Sequence, residues 1–402
     1  MSEDRQVTRE YTGEPRDRRI FIAVAAIVVI AAIGLIAWYI HRKGDTTTYT
    51  GYDVVKSKQL SFSAVYGMIP IKDGVLRYAR DGVEAVNTVG ETMWNVAYNM
   101  ANPVADARGR FAAVGDSGGV SLYLLDGTGK VNQVTTDHKI VKVAVSANGE
   151  TAVLMDGGDE NDYMTIYHID GTRASEVSTL STVNGFPLDV AISENGAKVV
   201  ISYAYFDGDE LRSRLAFFNF GDVGKSYIDG LVGKAESVET AHPDNLYADV
   251  VFLTNNRVAV FGDRSVLLYE MEEIQSMKPV EISYSGSVKR FAYSSDYFGL
   301  LTEKQDGGRI AYSVSLYDTK GKAVEQRELD SYYSGFRIEG RDVILYNDIS
   351  LYIYRVKGND KYKGGISKTI SYVYAIDGRN RFAVISDNQY NEVKLLTGGE
   401  TR

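Results

Sequence analysis

Two stretches 47 residues apart, VAVSANGETAVLM (Val143–Met155) and VAISENGAKVVIS (Val190–Ser202), repeat one pattern. In each, alternating residues lead into Ser-x-Asn-Gly, and a second apolar run follows. Asn-Gly between alternating apolar runs signals a hairpin, because both residues tolerate positive φ. A hairpin recurring at a period of 20–50 residues marks a repeat fold.

A second element recurs after each hairpin: apolar residues around an aromatic, then a turn with Asp, Lys or Gly. The copies are centred on Tyr78, Tyr123, Tyr167, Phe218, Tyr269, Tyr317, Tyr354 and, in VKLLTGG, Leu395. Their spacing runs from 37 to 51 residues. Each unit then holds two hairpin strands, a Tyr-bearing third strand and a weaker fourth, such as VNQVTTD or KAVEQREL. Four strands in about 45 residues is the dimension of a propeller blade, and such blades bury their faces by stacking into a ring. The expected fold is therefore an all-β propeller of eight blades, with the recurring aromatics packed between sheets. Residues 52–64 should close the ring by completing the last blade; if the two ends merge into one blade, the count is seven.

Before the repeats, Ile20–Ile40 runs 21 residues without a charge. A helix of that length spans roughly 30 Å, the thickness of a bilayer core. Arg16, Arg18 and Arg19 flank one end; Trp38, Tyr39, Arg42 and Lys43 flank the other, as interfacial anchors do. A cleaved signal peptide has a shorter apolar region and a small-residue exit, where this run closes on bulky WYIH. The expected organisation is a short cytoplasmic leader (1–19), an uncleaved signal anchor spanning the membrane (20–40), a juxtamembrane linker (41–51) and the propeller (52–402). The leader carries five arginines and residues 41–59 four basic residues, so charge orients the span only slightly. A 19-residue leader with no second span favours an extracellular propeller on a single-pass cell-membrane protein.

The net charge of −9 leaves no basic surplus for phosphates, so nucleic acid is not an expected partner. The absence of cysteine excludes disulfides, thiolate metal sites and cysteine nucleophiles. The four histidines, His41, His138, His168 and His242, form no close ligand pair. The acidic loop DGGDEND, Asp156–Asp162, is the strongest calcium candidate, but its glycines precede the alternating acids where an EF-hand has them following. A solvated turn is the expectation there. GDSGG, Gly115–Gly119, lacks the Lys-Ser/Thr and helix of a phosphate loop, and no G-x-S-x-G elbow occurs. No catalytic, cofactor-binding or metal-ligating residue is assigned, no cofactor is expected, and the chain reads as non-enzymatic.

With one span ahead of a propeller, and with SANG and SENG similar to the SPDG-type turns of WD40-like and YVTN propellers, the chain resembles an uncharacterised family of bacterial single-pass membrane proteins. Those proteins, of clostridial-type Gram-positives, carry WD40-like ectodomains. More distantly it resembles the pyrroloquinoline-quinone-type propellers, among them an outer-membrane assembly scaffold, but it lacks their vicinal cysteines and shows no cofactor signature. The resemblance implies a fold and an address, and no reaction. The expected function is a membrane-anchored binding or scaffolding module for envelope proteins or polymers; the alternative is an envelope hydrolase or lyase with its site in the channel. Three longer loops, Asp156–Asp162, Asp207–Ser213 and Lys225–Asp249, are where recognition would be sought; the last, an insertion not needed for strands, reads first as an ordinary long connection.

Overall fold

A computed structural model describes residues 23–35, 46–61, 65–158, 160–222, 224–272, 278–386 and 388–398. Contacts divide the chain into two units, Met1–Thr47 and Thr48–Arg402. In the first, residues 23–35 are helical and exposed on every side. Thirteen residues cover about 20 Å at 1.5 Å each. Among the described residues no helix is long and apolar enough to cross a membrane. The rest of the 20–40 stretch, residues 20–22 and 36–40, lies outside the described residues, as do the leader 1–19 and residues 41–45 of the linker.

The second unit holds eight four-stranded antiparallel sheets. The innermost strands of blades 1–8 are Gly67–Ile71, Pro103–Arg108, Lys139–Val145, Phe186–Ile192, Tyr247–Phe252, Ser287–Tyr293, Gly335–Glu339 and Tyr372–Ala375. Seven sheets take their strands in simple sequence order, and the eighth takes its outer strand from the start of the chain. There Gly51–Gln59 pairs with Gln389–Leu396, which closes the ring at eight blades. A four-stranded blade has two faces and must cover both, so the cores lie between neighbouring blades. Phe217 of blade 4 meets Tyr269 of blade 5 at 4.9 Å between ring centroids in one such core.

The recurring aromatics behave as packing residues. Tyr167, Phe218, Tyr269, Tyr354 and Leu395 are buried on third strands. Tyr78 is an exception of position: it ends the second strand of blade 1, Gly74–Tyr78, and the third strand is Gly82–Asn87. ARDG after Tyr78 is a tight turn, as expected, but it joins the second and third strands of blade 1 instead of following the third.

The Asn-Gly turns also differ in detail from the expectation. Gly149 and Gly196 have φ of 93° and 73°, whereas Asn148 and Asn195 do not enter the left-handed region. The three-residue loop is thus a type I turn followed by a left-handed glycine, a geometry that leaves the Asn side chain for other work. Asn148 Nδ2 donates to the Asn195 carbonyl at 3.2 Å, and the Asn195 amide donates to Asn255 Oδ1 at 2.9 Å. Turns of blades 3, 4 and 5 are thereby bonded to one another.

Two of the three expected loops prove to be strands. Asp207–Ser213 is the tip of a long hairpin in blade 4, whose strands Lys198–Asp207 and Glu210–Asn219 pair through to Asp207 and Glu210. Lys225–Asp249 contains the fourth strand of blade 4, Leu231–Glu236, and opens the first strand of blade 5. Its extra length is spent on short 3-10 turns at 224–230 and 237–239. Weak alternation in LVGKAE concealed the strand.

The chain enters the ring at one definite end. Thr48 Oγ1 and the Tyr49 amide bond the carbonyls of Asp360 and Lys361 at 2.9 and 2.8 Å, beside the turn joining the third and fourth strands of blade 7. The SANG and SENG turns share that end, because first and third strands run in the same direction. Turns between second and third strands, and the links between blades, lie at the opposite end.

Candidate functional site

Four consecutive inner strands carry the same irregularity. The register shifts before Lys142, Asp189, Asp249 and Arg290 in blades 3, 4, 5 and 6. A bulge of this kind re-aims the side chain that follows it. A cavity of about 280 Å³ is lined by Lys142 and Asp189 from two of these strands, by Asp106 and Arg108 from the regular inner strand of blade 2, and by Tyr293 among others.

Most of this charge is engaged between blades. Asp106 Oδ2 accepts the Val145 amide at 2.7 Å, tying blade 2 to blade 3. Asp189 Oδ2 accepts the Val250 amide at 2.9 Å, tying blade 4 to blade 5, and its Oδ1 lies 3.4 Å from Lys142 Nζ. Glu339 repeats the device between blades 7 and 8, accepting the Ala375 amide at 2.7 Å. Arg108 reaches from blade 2 to Glu194 of blade 4 at 2.8 Å and to the Phe252 carbonyl of blade 5 at 3.4 Å. Burial raises the Asp106 carboxyl above its ordinary range against the pull of the Val145 amide. It pushes Asp189 up to about 6 against Lys142 and Val250. Chemically, this is a set of interblade pins around a small polar cavity.

The opposite arrangement occurs at the ring end away from chain entry, between blades 3 and 4. The blade 4 hairpin has ten-residue strands, while the second strand of blade 3, Thr151–Asp156, has six. The overhang carries Phe206 paired with Leu211, both exposed. The link from blade 3 runs through a single helical turn, Ser181–Asn184, to Gly185 at φ 92°. A Cβ on Gly185 would sit 2.2 Å from the Ala204 carbonyl, so only glycine lets the link press against the hairpin and turn Phe186 outward. Phe186 and Phe206 are 64% and 66% exposed. Together with Asp156, Glu160 and Asp162 they line a groove of about 730 Å³.

Asp162 is the residue of the sequence-selected acidic loop that stands out. It is 5% exposed, and its Oδ2 has no hydrogen-bond partner among the described residues. Burial, then the charge of Asp156 directly across the strand pair, pushes its carboxyl up to about 6. Asp159 of the same loop lies outside the described residues. No group of three His, Cys, Asp or Glu able to hold a metal ion occurs among the described residues.

The remaining candidates have local partners. His138 stacks on Tyr163 at 4.0 Å, His168 Nδ1 meets Glu150 Oε1 at 2.8 Å, and His242 Nε2 meets Ser283 Oγ at 3.0 Å. They lie in separate contacts, and His41 is outside the described residues. In GDSGG, Asp116 Oδ1 accepts the Asn102 amide at 2.9 Å, tying the end of the second strand of blade 2 to the link that precedes its first. Phe186 and Phe206 were missed by sequence reasoning, since an apolar residue in an alternating strand looks like core.

A family described as of unknown function, DUF5711, matches residues 45–395. A sequence search of curated proteins finds no match. Among solved structures, the chain is similar to BamB from Moraxella catarrhalis at 14% identity and a TM-score of 0.52, covering 86% of this chain and 100% of that one. It is similar to Chaetomium thermophilum Sqt1, solved with the N-terminus of ribosomal protein L10, at 11% identity and a TM-score of 0.55, covering 85% and 99%. Apo AztD from Citrobacter koseri gives 11% and 0.52, covering 76% and 87%. At these identities the likeness is one of fold.

Proposed function

The chain belongs to the DUF5711 family of unknown function, and we propose that it is a non-catalytic binding or scaffolding propeller for envelope proteins or polymers. The observation that carries this reading is the contrast between a channel whose charges pin blades together and a ring end that leaves two phenylalanines in solvent. Rigid blades hold such loops in a fixed constellation, which is how a ring recognises a partner without reacting with it. Sqt1, a fold neighbour, was solved holding the N-terminus of another protein. The proposal extends to address: a single-pass cell-membrane protein of a clostridial-type Gram-positive, anchored by residues 20–40 with the propeller outside. The uncharged 21-residue run and its basic and aromatic flanks support that address.

Two measurements test the proposal. Protease added to intact protoplasts should remove a C-terminal tag without lysis; protection until lysis would move the propeller to the cytoplasm. A photo-crosslinker at position 206 in cells should trap a discrete partner that the same group at position 53, on another blade, does not. Failure of both positions would end the binding-module reading. The alternative, an envelope hydrolase or lyase, draws on the raised carboxyls of Asp106 and Asp189 beside Lys142 in the channel. It requires turnover of a wall glycan or peptide by the purified chain, abolished by Asp106→Asn.

A further inference from the structure

The groove between blades 3 and 4 has a chemistry specific enough to name its occupant. Three of its lining residues, Asp156, Glu160 and Asp162, are acidic, and none of its lining residues is lysine or arginine. The tip of the overhanging hairpin adds exposed Asp209 and Glu210 beside Phe206. Of the cations around it, Lys139 stands across the strand pair from Asp156, Arg212 pairs with Glu210, Arg214 binds Glu236 and the Val183 carbonyl, and Lys234 donates to Asn184 Oδ1. Asp162 supplies the second, independent observation. A buried carboxylate oxygen without a donor is costly, and such groups in native proteins call for an explanation by an ion, a water or a ligand. It lies in the same groove as the exposed faces of Val183, Phe186 and Phe206.

We propose that this groove binds an extended peptide segment in which a lysine or arginine is flanked by apolar residues. The cation donates to Asp162 Oδ2, and the apolar neighbours cover Phe186 and Phe206. This deepens the binding-module reading above and rests on it. The acidic rim disfavours an anionic lipid surface, which would otherwise suit the two exposed rings.

The probe is a fluorescein-labelled octapeptide alternating lysine with leucine and phenylalanine, with a twin carrying glutamate in place of lysine. Anisotropy titrations use the full chain in detergent. The lysine peptide should bind at least tenfold more tightly than its twin. Asp162→Asn should weaken it roughly tenfold, the loss of one charge-assisted hydrogen bond. Phe206→Ser should weaken it several-fold. Asp53→Asn, which removes the same charge from the outer strand of blade 8, should leave it unchanged. Thermal melting checks that each variant is folded.

Equal binding of the two peptides by the native chain overturns the proposal. So does wild-type affinity in both groove variants, which would reduce the binding to attraction by the net charge of −9. A Phe206→Trp reporter that shifts blue with phosphatidylcholine vesicles but stays unmoved by the lysine peptide would overturn it in favour of lipid. In each case crosslinking from position 206 in cells still decides the binding-module reading separately.

Discussion

Asp189 and Asp162 stand on adjacent blades, and burial pushes both carboxyls up to about 6. Asp189 accepts the Val250 amide and faces Lys142, so its burial joins two blades. Asp162 leaves one oxygen without a donor among the described residues, at the edge of a groove. A raised carboxyl therefore means opposite things in the two places: a structural pin with its partners in hand, and an open valence. Partner count, more than the degree of perturbation, separates architecture from recognition.

The largest effect should come where both members of an ion pair are fully buried. Arg77 and Glu84, paired across the second and third strands of blade 1, are fully buried. Arg77→Met should cost about 3–5 kcal/mol by stranding Glu84, read as a loss of stability in denaturant titration. A loss below about 1 kcal/mol would show that buried pairs in this ring are dispensable, blurring the contrast.

Next comes the direct test of the two aspartates. Asp189→Ala should destabilise by about 1–3 kcal/mol, because it leaves the Val250 amide unsatisfied and Lys142 without its partner. Asp162→Ala removes a desolvated charge that bonds nothing through Oδ2, and should be neutral or stabilising at pH 7. Thermal melts that move the same way in both variants would break the comparison.

The pH dependence sharpens it. Asp162 has a folded value near 6 against an ordinary 3.8, so the native state holds its proton where the unfolded state has lost it. Its contribution to stability is therefore fully present below about pH 4, declines as pH rises, and is lost above about 6. Asp156 across the strand pair and the buried Tyr203 hydroxyl from blade 4 are the titratable groups facing it. Relative to Asp162→Asn, the native chain should lose on the order of 1–2 kcal/mol between pH 4 and 7. A flat difference across that window would mean that a donor already satisfies Asp162.

The smallest effect belongs to a surface pair. His168 is half exposed beside Glu150, so His168→Gln should change stability by less than about 0.5 kcal/mol. A larger loss of melting temperature would show that the single histidines carry more of the structure than their solvent contact suggests.

The ring was legible from the chain because turn chemistry and alternation are local. Asn-Gly at a fixed period, and apolar runs of strand length, announce a blade without any knowledge of its neighbours. Closure from the start of the chain was legible too, since the last unit stopped one strand short: residues 52–64 were expected, and the strand is Gly51–Gln59. Errors arose where locality failed. LVGKAE has too weak an alternation to announce a strand, yet pairing with Arg214–Phe218 makes it one. The acidic loop at Asp156–Asp162 drew notice for calcium geometry, while what distinguishes it is one oxygen whose burial depends on the fold around it. Phe186 and Phe206 sit in alternating segments that look like core, and they face solvent because one hairpin overhangs its neighbour. Sequence by itself determined the repeat and the blade, because backbone preference and hydrophobic period act over a few residues, while the pairing of Gly51–Gln59 with Gln389–Leu396 decided eight blades over seven. Only tertiary structure decided which carboxylates are spent as pins and which remain open, because partners from other blades are tens to hundreds of residues away along the chain.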